Sequence, residues 1–321
     1  MKNQLTRPQV YAAIIGHATA DALGVPVEFT SREARRLDPV TDMRGYGTYG
    51  LPAGTWSDDT SMTLAALDSL TYGFDPEDMM ARFDNWLTNA AYTATDDVFD
   101  IGNTTYHAIS CYRRGVAALD CGDSENTHNG NGSLMRCIPT ALYVYSRMPD
   151  APMEAVLEII HQSSAITHAH MLSKLCCGIY SYIIWALLKE PDKVSVRRGL
   201  EEARKQYSAM SEFAPALRTC SRIFDPDFVD LPEDDIRSGG YVLHTLEAAV
   251  WCLMNTASYP EAVLRAVNLG SDTDTVAAVT GGLAGLMYGA NAIPRQWLDT
   301  LIRRDVIEEM CNAFTDAQVA Q

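Results

Sequence analysis

Between residues 276 and 293 the chain carries no charged side chain, a run that brushes the length a membrane-spanning helix requires. Gly281, Gly285 and Gly289 recur inside it at four-residue spacing, which lets a second helix approach closely. Gly282 and Asn291 dilute its hydrophobicity, and Asp272 and Asp274 stand at its mouth. The segment therefore reads as the central helix of a soluble bundle, apolar all round because other helices cover it.

The rest of the chain supplies those helices. Thr6 precedes Arg7 and Pro8 as a cap with proline in the first turn, and the pattern runs to Gly24. Ser57 caps a second helix whose Met62, Leu64, Leu67 and Leu70 point inward. Asp75 and Pro76 open a third, with Met79, Phe83, Trp86 and Leu87 as its stripe. Helical periodicity continues near 103–115, 133–147, 152–165, 169–189, 195–210, 241–256, 260–268, 273–290 and 295–313. Strand-type alternation is missing, and Val25, Pro26, Val27, Glu28 and Phe29 form the only short extended candidate. Loops rich in Gly, Asn, Thr and Asp fall at 41–56, 93–104 and 122–133. The expected fold is all-α: a compact helical bundle making one domain over residues 1–321, with its core at about 10–313.

Charge narrows the function. Against 41 Asp+Glu there are 25 Lys+Arg, a formal net charge of -16. This argues against an extended nucleic-acid surface or an anionic-membrane surface, which need clustered cations. The eight cysteines contain no CxxC pair, and the first 24 residues do not read as a secretory signal. A reducing, cytoplasmic location is expected, with most of the thiols buried as small hydrophobes.

Two acidic clusters stand at helix starts. Ser57, Asp58, Asp59 and Thr60 form one, and Ser271, Asp272, Thr273, Asp274 and Thr275 the other. Taken singly, each is explained as an N-cap with acids at the positive helix end. If the two ends meet, four carboxylates face one another and resist ionising together. One or two divalent cations would remove the conflict, and oxygen-only ligands select Mg2+, Mn2+ or Ca2+ over Zn2+. Hydroxyls of Ser57, Thr60 and Thr275 would complete the coordination. Neither cluster has EF-hand spacing, which favours a catalytic binuclear site over a structural calcium site.

Two small-residue loops also open helices: Asp100, Ile101, Gly102, Asn103, Thr104 and Thr105, then Asn129, Gly130, Asn131, Gly132, Ser133, Leu134, Met135 and Arg136. Free backbone N–H groups in such loops cradle phosphates, although Asn-Gly pairs also simply make turns. His168 and His170 lack a third ligand of their type, so a hydrogen-bonding or stacking histidine is favoured over a transition-metal pair.

In this order, with Asp21, Gly24 and Glu28 upstream and Thr167 and His168 between, the motifs resemble the ADP-ribosylglycohydrolase family from about residue 10 to 290. The resemblance implies a binuclear Mg2+ or Mn2+ centre at the base of an ADP-ribose cleft. It implies Ser57, Asp58 and Asp59 as metal ligands from one side and Asp272, Asp274 and Thr275 from the other. Glu28 matches the family's flap glutamate and Asp100 the acid of its substrate loop; they are the first and second choices for proton transfer. Gly102, Asn103, Thr104, Asn129, Gly130, Asn131, Gly132, Ser133 and His168 match substrate-binding positions. Ser57 stands where many relatives have Thr, and Ala20 where they usually have Gly.

The implied reaction is attack of a metal-oriented water on the anomeric carbon, releasing ADP-ribose from a modified protein side chain, arginine first. The alternative is a non-catalytic ADP-ribose-binding or structural member of the same fold, which would be expected to have lost metal-site acids. All four are present.

Overall fold

The computed structural model describes residues 5–319. In chain order the helices are α1 (Arg7–Gly24), α2 (Arg32–Leu37), α3 (Asp58–Tyr72), α4 (Pro76–Asn89) and α5 (Asn103–Arg113). Then follow α6 (Ile138–Arg147), α7 (Met153–Ala165), α8 (Met171–Lys189), α9 (Lys193–Ser208) and α10 (Ala214–Thr219). The series ends with α11 (Val242–Met254), α12 (Tyr259–Asn268), α13 (Thr273–Tyr288), α14 (Arg295–Thr300) and α15 (Arg304–Val319). Among the described residues there is no strand, only isolated bridges between Asp123 and His168 and between Gly130 and Tyr241. The fold is all-α.

The uncharged segment is α13, buried from Thr273 to Met287. Its principal neighbour is α1, and glycine sets their separation. A Cβ on Gly16 would lie 2.6 Å from the Gly281 carbonyl oxygen, and one on Gly285 would overlap the Ala12 carbonyl. Ala20 fills the space beside Gly281. Gly289 has a different role from the other two: at φ 78° it ends the helix in a conformation that favours glycine. Helices α11 and α12 cover other sides of α13, while α3 packs against α15, α4 and α6. The segments Arg7–Val27 and Met171–Lys189 are long and apolar enough to cross a membrane, and both are buried in this core.

Three sequence expectations are corrected. Residues 25–29 are not extended: Val25–Val27 is one turn of 3-10 helix continuing directly from α1. Pro26 suits that turn, and among the described residues no partner strand is present to reward the β-branched pair. The helix expected from 133 begins at Ile138, because Pro139 occupies its first turn. The segment 295–313 is two helices. Ile302 N–H donates to the Gly54 carbonyl at 3.0 Å and Arg303 adopts φ 50°, so tertiary bonding breaks a continuous helical pattern.

Candidate active site

The C-terminal end of α1 and the N-termini of α3 and α13 converge. Gly24 abuts the start of α13 so closely that a Cβ there would overlap the Asp274 backbone. Asp21, from the last turns of α1, accepts from the Ser57 N–H at 3.0 Å, the Thr60 N–H at 3.0 Å and the Thr60 hydroxyl at 2.6 Å. This carboxylate ties α1 to the first turn of α3. Ser57 caps that turn, accepting from the Asp59 N–H at 3.2 Å, and its hydroxyl faces Asp59 Oδ2. Asp272 holds the N-cap position of α13 but its side chain does not cap. Its Oδ2 instead accepts from Asn131 Nδ2 at 2.8 Å, joining the 129–133 loop to the site.

Two groups of three carboxylates have oxygens within 4.8 Å of one another: Asp21, Asp59 and Asp274, and Glu28, Asp100 and Asp274. Asp274 belongs to both. Asp58 and Asp272 lie outside these tight triads, yet their charges act on the same cluster. Burial, and then the charges of Asp100, Asp21, Glu28 and Asp272, push Asp58 well above the usual carboxylate range. Asp59 and Asp274 are likewise pushed well above it, first by burial and then by neighbouring acids. Asp59 Oδ1 and Asp274 Oδ2 are buried without a hydrogen-bond partner. Among the described residues, none of these acids is in an ion pair with Lys or Arg. Orphaned hard oxygens among mutually repelling acids are a donor set that fits a divalent cation, and the positive ends of α3 and α13 favour the negative charge only in part.

Glu28 and Asp100 meet through Tyr49, a residue the sequence motifs did not point to. Its hydroxyl lies 2.7 Å from Glu28 Oε2 and 2.6 Å from Asp100 Oδ1. One hydroxyl carries one proton, so two such short contacts require a second proton on one carboxyl group. Burial and the Asp100 charge raise Glu28 to about 9, and burial raises Asp100 as well, so the pair is suited to hold that second proton between them. Asp100 itself sits at φ 61°, a backbone conformation unusual outside glycine, which turns its side chain toward Tyr49. Tyr49 in turn packs on Phe99 with ring centroids 4.8 Å apart.

Beside the acids a groove of about 520 Å³ is lined by Asn103, Thr104, Asn129, Gly130 and Tyr241, with His107 and His128 at its wall. Gly102 is the N-cap of α5, and Asn103 and Thr104 form its first turn. His168 packs against Gly130 and Gly132, where a Cβ on Gly132 would stand 2.9 Å from its Cε1. The Ser133 side chain faces inward, accepting from the Ser164 hydroxyl at 2.9 Å, so only its backbone is free for the groove. Thr275 is buried, and its N–H donates to Asp274 Oδ1 at 2.9 Å. His170 does not join His168: it caps α8 through Nδ1 and meets Asn126 through Nε2.

The ADP-ribosylglycohydrolase family model matches residues 2–321. The chain belongs to the ADP-ribosylglycohydrolase family. Of the curated relatives, ADP-ribosylarginine hydrolase Tri1 of Serratia proteamaculans is 31% identical over 300 residues, covering 93% of this chain and 76% of that protein. The Pseudomonas putida protein of the same name is 32% identical over 311 residues, with 95% and 77% covered. ADP-ribosyl-[dinitrogen reductase] glycohydrolase of Rhodospirillum rubrum is 28% identical, with 92% of each covered. Among solved structures, an ADP-ribosylglycohydrolase-related protein complex superposes with a TM-score of 0.80 at 32% identity, covering 97% of this chain and 98% of that one. This glycohydrolase is thus an enzyme, and its acidic cluster is one that could hold a metal ion. Tyr49 is the polar anchor of its site that motif reading left out, and Asp21, named in the motif series, was given no role there.

Proposed function

We propose that this glycohydrolase, acting as one domain in the cytoplasm, removes ADP-ribose from a modified protein, with arginine as the acceptor and an N-glycosidic bond as the one cleaved. The observation that carries the reading is the meeting of unpartnered Asp59 and Asp274 oxygens with the Glu28–Tyr49–Asp100 cluster, with Asp272 lying against Gly240 in the wall of the neighbouring groove. The names of the Serratia and Pseudomonas relatives support arginine.

Ser57, Asp58, Asp59, Asp272, Asp274 and Thr275 would hold two divalent cations, Mg2+ or Mn2+. Bound there, such cations supply Lewis acidity and a lowered pKa for water, and they offset the clustered negative charge. The protein's own groups do the rest. Backbone N–H groups of residues 102–104, at the start of α5, and of the 129–133 loop, apart from the Asn131 N–H that donates to the Gly240 carbonyl, receive the diphosphate. Hydrolysis adds a hydroxyl to the anomeric carbon, breaks its bond to the side-chain nitrogen and puts a proton on that nitrogen. Glu28, protonated and held by Tyr49, is the donor placed for that proton; Asp100 accepts from Tyr49 and keeps the pair in register.

The test is release of ADP-ribose from arginine-, serine- and nucleic-acid-linked conjugates, with Mg2+ or Mn2+. Wild-type protein is expected to act on the arginine conjugate. Asp58→Ala with Asp272→Ala is expected to lose at least ~100-fold in kcat/KM. Intact turnover by the double variant would overturn the assignment.

A further inference from the structure

Arg136 is a fully buried cation that the reaction described above does not use. Its guanidinium lies 4.6 Å from the centroid of the Phe83 ring. Nη2 donates to the Ser163 carbonyl at 3.0 Å and to Thr167 Oγ1 at 2.8 Å, while Nε and Nη1 find no partner. Among the described residues no carboxylate pairs with it. Burial draws its pKa down to about 10, which leaves it charged at neutral pH. An unpaired cation in such a place is costly to the fold, so its contacts are informative.

Those contacts lead to the groove. Thr167 is fully buried, and its hydroxyl has two neighbours in hydrogen-bond reach: Arg136 Nη2 and, at 2.9 Å, His168 Nδ1. A guanidinium only donates. The hydroxyl therefore accepts from Arg136 and has one place to send its own proton, His168 Nδ1. Were Nδ1 protonated, the hydroxyl would accept twice and its hydrogen would be buried without an acceptor. Nδ1 is thus the acceptor, and in a neutral ring the proton sits on Nε2. Burial first, and the Arg136 charge second, lower His168 to about 3, with Asp123 opposing and His128 adding to the effect. The Nε2 edge faces the 129–133 loop, 3.3 Å from where a Cβ on Gly132 would stand and 3.5 Å from one on Gly130.

We propose that Arg136 is a positioning residue: through the Thr167 hydroxyl it fixes His168 as an Nε2–H donor presented to a diphosphate at the 129–133 loop. The diphosphate rests on the ADP-ribose reading above; the tautomer does not. Nitrogen NMR of the His168 ring in the full-length, ADP-ribose-free protein tests the second part. Wild type and Thr167→Ser are expected to show the Nε2-protonated tautomer at neutral pH. Thr167→Val and Arg136→Met are expected to populate both tautomers.

Equilibrium binding of ADP-ribose tests the first part. Its Kd is expected to rise about tenfold in Thr167→Val and to be restored by Thr167→Ser, with KM raised more than kcat is lowered. A wild-type ring protonated on Nδ1, or doubly protonated, overturns the relay. Equal ADP-ribose affinity in wild type and Thr167→Val does so too. A wild type with the expected tautomer and no affinity for ADP-ribose supports the relay and refutes the functional reading instead. If Thr167→Val does not fold, Arg136→Met and the wild-type tautomer decide.

Discussion

Replacing Asp59 with Asn should change the sign of its effect on stability according to whether a divalent cation is present. Asp59 is fully buried, keeps one oxygen without a partner, and lies with Asp21 and Asp274 inside a 4.8 Å triad. Two ionised carboxylates at that separation repel by ~3.5 kcal/mol at an effective dielectric of ~20. Proton uptake relieves part of this, leaving ~1–2 kcal/mol to be gained when the charge is removed without change of shape. Unfolding entropy of ~2.1 cal/mol/K per residue gives ~0.7 kcal/mol/K for a chain this long, so cation-free Asp59→Asn should melt ~1.5–3 °C above wild type. The sign with pH follows from a raised folded-state pKa. The wild type pays no penalty below the unfolded carboxylate pKa of ~3.9, and the penalty grows as pH rises.

With Mg2+ or Mn2+ at ~100 times its Kd, mass action stabilises wild type by ~2.7 kcal/mol, or ~4 °C. The variant, having lost a ligand, should respond by under ~1 °C at the same concentration. Differential scanning fluorimetry in chelator and across a cation titration reads both halves. An Asp59→Asn protein less stable than wild type in chelator, or one with an undiminished cation shift, would show that this acid is not held in the cluster as described.

The other expectations use separate parts of the molecule. Tyr49→Phe removes the hydroxyl shared by Glu28 and Asp100; kcat should fall by about tenfold, and the pH–rate profile should shift, while urea stability stays within ~1 kcal/mol. Gly16→Ala places a Cβ 2.6 Å from the Gly281 carbonyl and should cost ~3 kcal/mol in urea unfolding by prising α1 from α13. His161, lowered by burial to about 4, stays neutral when folded, so the unfolded chain binds the extra proton as pH falls below ~6.5. Its share of stability, ~2 kcal/mol, is lost between pH 7 and 5. His161→Gln, which can still meet the Tyr207 hydroxyl that His161 contacts at 2.8 Å, should lessen the wild-type drop by that amount.

Much of this architecture was legible because the informative residues are strong local signals. The uncharged run with glycines at helical spacing, flanked by Asp272 and Asp274, reads as a covered helix, and Gly16, Gly281 and Gly285 show why it needed them. Ser57 and Asp272 both mark helix starts as read. Their meeting was conditional on the sequence alone, since spacing cannot bring residues 57 and 272 together. What escaped was set by tertiary bonding. Tyr49 lies in a loop with no periodicity, and its value comes from two carboxylates 21 and 51 residues away. The break before α15 rests on a bond to Gly54. Asp21 stands in the motif series, but its task of receiving the first turn of α3 appears only in three dimensions.

The decisive measurement is mass spectrometry of a protein carrying ADP-ribose on arginine, incubated in oxygen-18 water with the cation-loaded glycohydrolase. The expected result is loss of one ADP-ribosyl group, recovery of unmodified arginine, and the label in the released ADP-ribose. Label in the protein side chain would place the attack on the guanidino carbon instead of the anomeric carbon. That result, or no release with either cation, would contradict the reading of this site.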